Sequence, residues 1–273
     1  MNLQNKEKIT LGVVQETMLL TVWARAVEAR KINPILVDEK AVEMIERLDY
    51  DFDKLSHAKT SQIVCCLRGV IIDNWVRSFM KEHSDGIIVE IGAGLNTRFE
   101  RVDNGRINWF DLDMPDSIEL RRKFFQENDR RRFISASMLD TSWIQQIDGG
   151  KPVLFVSEGV LTYFTEKQVK QLFGMLADHF SGSRLIFDSM SPLIVRNQKR
   201  YDMHKHTRAR FAWGIKDVRE IEKWDARYKL SETRTLWDLP RRYIKSMPLK
   251  MRLLFALIPP MRNAYRLNLA RLN

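Results

Sequence analysis

The residues best suited to chemistry begin where a short apolar run stops. Ile87 to Ile91 leads into Gly92-Ala93-Gly94-Leu95-Asn96-Thr97-Arg98, and Glu90 is the one acid inside the run. A Gly-x-Gly turn between a strand and a helix lets backbone approach a ligand, because no Cβ stands in the way. A dinucleotide fingerprint would place a third glycine at position 97, where this chain has Thr97. That departure argues against a pyrophosphate, which needs close approach to the helix N-terminus. A ligand that lacks phosphate and carries a positive charge would suit Glu90, placed just before the glycines.

More acids stand at the ends of later apolar runs. Asp111 and Asp113 close the second, Asp140 follows the third, Glu158 ends the fourth and Asp188 ends the fifth. In open α/β sheets ligands bind outside the carboxyl ends of the strands, so these acids would share one rim. Asp113 lies about 20 residues past the glycine turn, where a carboxylate can accept both ribose hydroxyls. A single acid at a strand end is explained by solvation of the loop. Five in register point to a cationic, diol-bearing ligand, and S-adenosylmethionine has that chemistry.

These side chains need a frame. After Ser84-Asp85-Gly86, short apolar runs alternate with amphipathic segments, the pattern of βαβ units and a mostly parallel sheet. Strands are predicted at Ile87 to Ile91, Ile107 to Leu112, Arg132 to Ala136, Val153 to Ser157 and Leu185 to Phe187. Asp116-x-x-Glu119 after Pro115, and Thr165-x-x-Gln168, have the spacing of capping boxes that open two of the helices. The first eighty residues read as helical. The clearest stretch is Thr60 to about Met80, where Ile63, Val64, Leu67, Ile71, Trp75 and Phe79 recur at helical spacing. Arg68 falls beside that stripe, so either an anion meets its guanidinium or the head snorkels to water along its own stem.

Beyond Met190 the segment from Ser191 to Phe211 is polar, basic and aperiodic, as a lid over a site would be. Met190, Met203, Phe211 and Trp213 could give such a lid apolar walls. Lys216 to Trp224 reads as a short helix and Thr233 to Trp237 as a strand. The apolar run from Met251 to Leu257, ahead of Ile258-Pro259-Pro260, reads as core in preference to a surface-associating element.

Composition bounds the function classes. A chain of 273 residues, 44% apolar and 29% charged, can bury a sizeable core. No stretch approaches the roughly 20 apolar residues of a membrane span, and the start MNLQNKEKIT lacks a signal h-region, so a cytoplasmic protein is expected. Cys65 and Cys66 are adjacent and supply neither a disulfide framework nor a zinc ligand set. His204 and His206 would face different ways on a helix, and His57, His83 and His179 read as surface or cap residues, so no metal is expected.

The net charge of +10 is uneven: Ser191 to the end carries 20 Lys/Arg against 7 Asp/Glu, and the first 190 residues carry 25 against 28. A solvated basic face is the leading reading of that excess. Aromatic and basic residues do not interleave as a stacking platform would, so nucleic acid is not an expected partner.

Several motifs occur together and in order: Trp23-Ala24-Arg25-Ala26 with Asp38, Arg68 with Asp73, Glu90 to Arg98, Trp109 to Pro115, Ser137 to Asp140, Ser157 to Tyr163, and Phe211 to Gly214. In this the chain resembles the leucine carboxyl methyltransferase family, and particularly its bacterial branch of polyketide-type O-methyltransferases, from about Thr17 to Trp224. The resemblance implies an α/β fold with a Rossmann-like, mostly parallel methyltransferase sheet in a single domain. An N-terminal helical cap would occupy residues 1–83, a cofactor-binding core 84–190, and a basic lid with C-terminal elements 191–273.

It also implies S-adenosyl-L-methionine as cofactor, with Arg68 gripping its carboxylate, Gly92 and Gly94 forming the turn beneath it, and Asp113 holding the ribose. Asp140 and Thr141 would contact adenine, Glu158 and Glu90 would lie beside the cofactor, and Tyr163 would stand at the reacting centre. The family's N-terminal lysine has no secure counterpart, although Arg25 lies nearby in the motif. The expected reaction is in-line O-methylation of a carboxyl group on a small, acidic organic molecule or polyketide-like metabolite. A carboxylate is already ionised near neutral pH and needs no base, whereas a phenol with a pKa of about 10 needs a base or a nearby cation. Three alternatives stay open: a protein C-terminal carboxyl methyltransferase, a nicotinamide-dependent oxidoreductase, and a non-catalytic polyanion-binding protein.

Overall fold

Strands β1 (Ile87–Ile91), β2 (Asn108–Asp113), β3 (Arg131–Ser135), β4 (Val153–Ser157) and β5 (Ser183–Met190) run parallel to one another in the computed structural model, which describes residues 6–200 and 207–273. Strands β6 (Tyr228–Arg234) and β7 (Tyr265–Leu272) extend the sheet, β7 lying antiparallel to both β5 and β6. The order across the seven strands is β3-β2-β1-β4-β5-β7-β6. Progress along the chain therefore reverses between β1 and β4, and that switch point is where a crevice opens outside the strand ends. Ile91 pairs with Ser157 there, so the Gly92 turn and Glu158-Gly159 emerge side by side.

Both faces of the central strands are covered, which is why β1 is almost wholly apolar. Ile88 faces a layer that includes Leu67, Ile71 and Trp75 of helix α3, which with α1 and α2 precedes the sheet (Thr17–Ala29, Glu39–Arg47 and Lys59–Glu82). Val89 and Ile91 face the opposite layer with Val169, Leu172, Phe173 and Leu176. Those four belong to the later helix α6 (Glu166–His179), after the short α4 (Arg98–Val102) and α5 (Pro115–Arg122). The Thr165–Gln168 capping box that opens α6 forms as predicted. Arg68 and the two buried cysteines sit on α3.

Four expectations need correction. Asp116 does not cap α5; Pro115 opens that helix, while Asp116 accepts from Ser117 N–H and Gly12 N–H, each at 2.8 Å. The predicted strand at Thr233 to Trp237 is displaced to Tyr228–Arg234, because Thr235 and Asp238 cap each other around a 3₁₀ turn at Leu236–Asp238. Lys216 to Trp224 contains a 3₁₀ turn at Val218–Lys223 in place of an α-helix. The apolar run from Met251 to Leu257 is helical but not core: α9 (Leu249–Leu257) has no buried residue. It lies on the surface with α7 (Pro192–Arg196), α8 (Arg241–Ser246) and α10 (Pro259–Arg262) as the other short helices of this region. Met203, His204 and His206 lie outside the described residues. No described helix is long and apolar enough to cross a membrane.

Candidate active site

A cavity of about 340 Å³ opens at the switch point, within the usual range for a small-molecule site. Its floor is the glycine turn. Gly92 and Gly94 have φ of +69° and +46°, values costly for residues with a Cβ. A Cβ on Gly92 would also overlap Val160 Cγ2, so the close packing of this turn on the loop after β4 requires glycine there.

Asp113 ends β2 and fastens that floor. Its carboxylate accepts Gly94 N–H at 2.6 Å and Met114 N–H at 2.7 Å. Burial nevertheless raises its pKa above the usual carboxylate range, the two N–H groups offsetting only part of the cost. A group with such a deficit gains from further hydrogen-bond donors, and a ribose diol carries two.

Arg68 reaches the cavity from α3. Nε donates to Glu158 Oε1 at 2.7 Å and Nη1 to Tyr265 Oη at 3.2 Å, so a carboxylate meets the buried guanidinium and the snorkelling alternative is excluded. Tyr265 Oη in turn donates to Asp188 Oδ2 at 2.8 Å, and Gly159 N–H donates to Asp188 Oδ1 at 2.8 Å. Gly159 has a φ of +69°, and a Cβ there would lie 3.1 Å from Arg68 Nη1. The guanidinium thus stacks on a position that only glycine leaves open.

A buried ion network stands behind this first contact. Arg98 donates to Asp73 Oδ1 at 2.8 Å and also to Glu90 and Glu158. Burial disfavours the Glu158 charge, but Arg68 and Arg98 outweigh it and hold the carboxyl well below its ordinary range. Glu90 has Arg98 as its guanidinium partner, and burial prevails: its pKa is raised to about 7. Asp188 is raised as well, by burial that Arg68 and its two hydrogen bonds only partly offset. Arg25, from the N-terminal motif, is a strut between Asp38 at 2.8 Å and the Leu95 carbonyl at 2.8 Å.

Six of the sequence-predicted residues line the cavity: Arg68, Gly92, Gly94, Asp113, Glu158 and Tyr163. Tyr163 is half-buried, its ring 5.4 Å from that of Phe211, and burial pushes its phenol up to about 12. The structure does not bring the other three to the wall. Glu90 is turned to Arg98 behind the floor, while Asp140 and Thr141 lie on the exposed turn past β3, where Asp140 accepts Ser142 N–H at 2.9 Å. Tyr265 was not anticipated, although the alternation of Tyr265, Leu267 and Leu269 with Arg266 and Asn268 is a strand signal. Asp188 was visible as a strand-end acid without an assigned role. Above the floor the wall is apolar, with Ile194, Phe211, Leu236, Met251, Leu254 and Phe255.

The cavity fits a zwitterion with a cationic centre and a sugar. Asp113, Glu158 and Asp188 give its polar rim three acids, Arg68 supplies a guanidinium suited to a carboxylate, and Gly92 and Gly94 present no Cβ from the floor.

The comparisons with known proteins agree. The family model described as leucine carboxyl methyltransferase matches residues 18–177. The chain is 32% identical over 235 residues to the tetracenomycin polyketide synthesis O-methyltransferase TcmP of Streptomyces glaucescens, covering 86% of this chain and 87% of that one. It is 26% identical over 245 residues to the S-adenosyl-L-methionine-dependent methyltransferase dpfgK of Gibberella zeae, covering 80% of each. Among solved structures, a Thermobifida fusca protein superposes with a TM-score of 0.60 at 16% identity, over 93% of this chain and 94% of the other. A DUF574 family protein of Streptomyces avermitilis does so with 0.58 at 14% identity, over 93% and 97%. The nicotinamide-dependent reading gives way: the chain belongs to the leucine carboxyl methyltransferase family and is an S-adenosyl-L-methionine-dependent methyltransferase.

Proposed function

We propose that this enzyme methylates a carboxyl group on a small, largely apolar organic acid of polyketide-like character. The observation that carries the reading is Tyr163, the phenol at the cavity wall that burial pushes up to about 12. At neutral pH it keeps its proton and cannot act as a base, but it can donate a hydrogen bond to an acceptor that is already an anion. A carboxylate is such an acceptor.

When bound, S-adenosylmethionine supplies an electrophilic methyl group on a sulfonium. The chain's own residues then have positional tasks, which suffice for a displacement that neutralises charge. Asp113 accepts the ribose hydroxyls, Arg68 takes the amino-acid carboxylate, and the Gly92–Gly94 backbone lies beneath. Glu158 keeps Arg68 in place while Arg98 balances the Glu158 charge. Tyr163 orients the acceptor carboxylate, and the apolar wall around Phe211 and Phe255 excludes water and receives the acceptor's body.

Incubation with methyl-labelled cofactor and a panel of apolar acids, each paired with its phenolic analogue, tests this. Label transferred to the acids and released as methanol by mild alkali is the expected result, because esters hydrolyse there and aryl ethers do not. Alkali-stable label on the phenols would overturn the carboxyl assignment.

A further inference from the structure

Helix α9 has two apolar faces, and only one of them meets the protein. Met251, Leu254 and Phe255 line the cavity. Leu249, Leu253 and Leu257, spaced by four, form a separate stripe that is 60%, 50% and 76% exposed, and Ile258 at its end is 47% exposed. Isolated exposed leucines need no explanation, but a contiguous stripe marks an interaction surface.

The charge that flanks the stripe along the chain points to the partner. From Leu239 to Asn263 the chain has six Lys/Arg and no Asp or Glu. Arg241, Arg242, Lys245 and Lys250 are exposed. A second copy of this chain would set these like charges against each other. Nucleic acid would satisfy the cations but leave the leucines in water. A bilayer with anionic headgroups satisfies both, since apolar side chains enter the acyl boundary while flanking cations meet lipid phosphates.

We propose that the outer face of α9 docks on an anionic lipid bilayer, with Leu249, Leu253 and Leu257 inserted and Arg241, Arg242, Lys245 and Lys250 on the headgroups. Because the inner face of the same helix walls the cavity, docking places the acceptor site directly beneath the membrane surface, where apolar acids concentrate. That route for the acceptor rests on the carboxyl-acceptor reading above; the docking does not.

Sedimentation of the full chain with vesicles of phosphatidylcholine, with and without about one quarter phosphatidylglycerol, tests the docking without any acceptor. Binding to the anionic vesicles that weakens as salt rises is expected. Leu253 and Leu257 do not line the cavity, so the L253E/L257E variant should keep its circular dichroism and cofactor affinity while its vesicle partitioning falls at least about tenfold. Failure of the full chain to bind anionic vesicles at low salt would overturn the proposal, as would equal binding to both vesicle types or undiminished binding of L253E/L257E. A self-associating chain that L253E/L257E disperses, with no vesicle binding, would assign the face to a second copy and also overturn it.

Discussion

Arg68 Nε donates to Glu158 Oε1 at 2.7 Å across 90 residues of sequence, tying α3 to the end of β4 at the switch point of the sheet. Both groups are largely buried, which shields the pair from water. This pair couples α3 to the rim on which Asp113, Glu158 and Asp188 collect; the other two strand-end acids are not on it, Asp111 being buried against Arg131 at 2.8 Å and Asp140 lying on the exposed turn past β3.

Arg68→Ala removes the cation assigned to the cofactor carboxylate. Calorimetric titration should show S-adenosylmethionine affinity reduced by about 10- to 100-fold, the size of a lost charge-assisted pair. Arg68→Lys should recover little, since an ammonium cannot serve Glu158, Tyr265 and a ligand with one planar fork. Unchanged affinity in both variants would remove Arg68 from the binding site.

Gly159→Ala tests the stacking of that guanidinium. The new Cβ would sit at a φ of +69° and 3.1 Å from Arg68 Nη1. A loss of about 1–2 kcal/mol in urea-unfolding stability is expected from the backbone alone. Cofactor affinity should fall as well, because Arg68 must move; a variant with wild-type affinity would show that its position is not critical.

The Arg98 network makes a signed prediction about pH. Burial raises Glu90 from 4.5 to about 7 despite Arg98, so the folded chain binds this proton more tightly than the unfolded chain does. The resulting contribution to stability is complete below about 4.5 and is lost as pH climbs through about 7. Glu90→Gln cannot ionise and should escape this loss. Relative to the variant, the wild type should lose roughly 1–3 kcal/mol between about pH 5 and about pH 8 in urea titrations. Arg98→Ala is a different case: it leaves Glu90 without its guanidinium partner and takes one of two from Asp73 and Glu158, which keep Arg101 and Arg68, and should cost about 3–5 kcal/mol. Parallel stability curves for wild type and Glu90→Gln would show that Glu90 does not titrate in this range.

The role proposed for Tyr163 makes a prediction about the pH dependence of the reaction. With its phenol at about 12 and the acceptor already ionised, kcat/KM should stay level from about pH 6 to about pH 9. Tyr163→Phe should lower it by about tenfold or less, the loss of one hydrogen bond. A log-linear rise with pH across that range would mean that the acceptor must lose a proton first.

Much of the frame was legible in the residues. Ile87 to Ile91 and Val153 to Ser157 are strands with the predicted bounds, because strands buried on both faces read as short apolar runs between turn residues. Asp113 was legible for the same reason: its place follows from where a strand must end. Strand β7 was missed because it lies at the end of the chain, past the βαβ pattern, and its partner β5 lies far away in sequence. Tyr265 went with it, although it bridges Arg68 and Asp188. The run from Met251 to Leu257 was misread because apolar residues look the same in sequence whether they fill a core, wall a cavity or face outward. Asp116 shows a similar degeneracy: its spacing to Glu119 suits a cap, but Pro115 already begins the helix and leaves Asp116 to bind Gly12.

S-adenosylmethionine titrated into wild type and Asp113→Ala under one set of conditions addresses the site itself. The cavity geometry predicts saturable 1:1 binding to the wild type and at least about tenfold weaker binding to the variant, since the ribose hydroxyls lose their acceptor and the glycine turn its anchor. Equal affinity in the two proteins, or no binding to the wild type at millimolar cofactor, would contradict the placement of the cofactor at this rim.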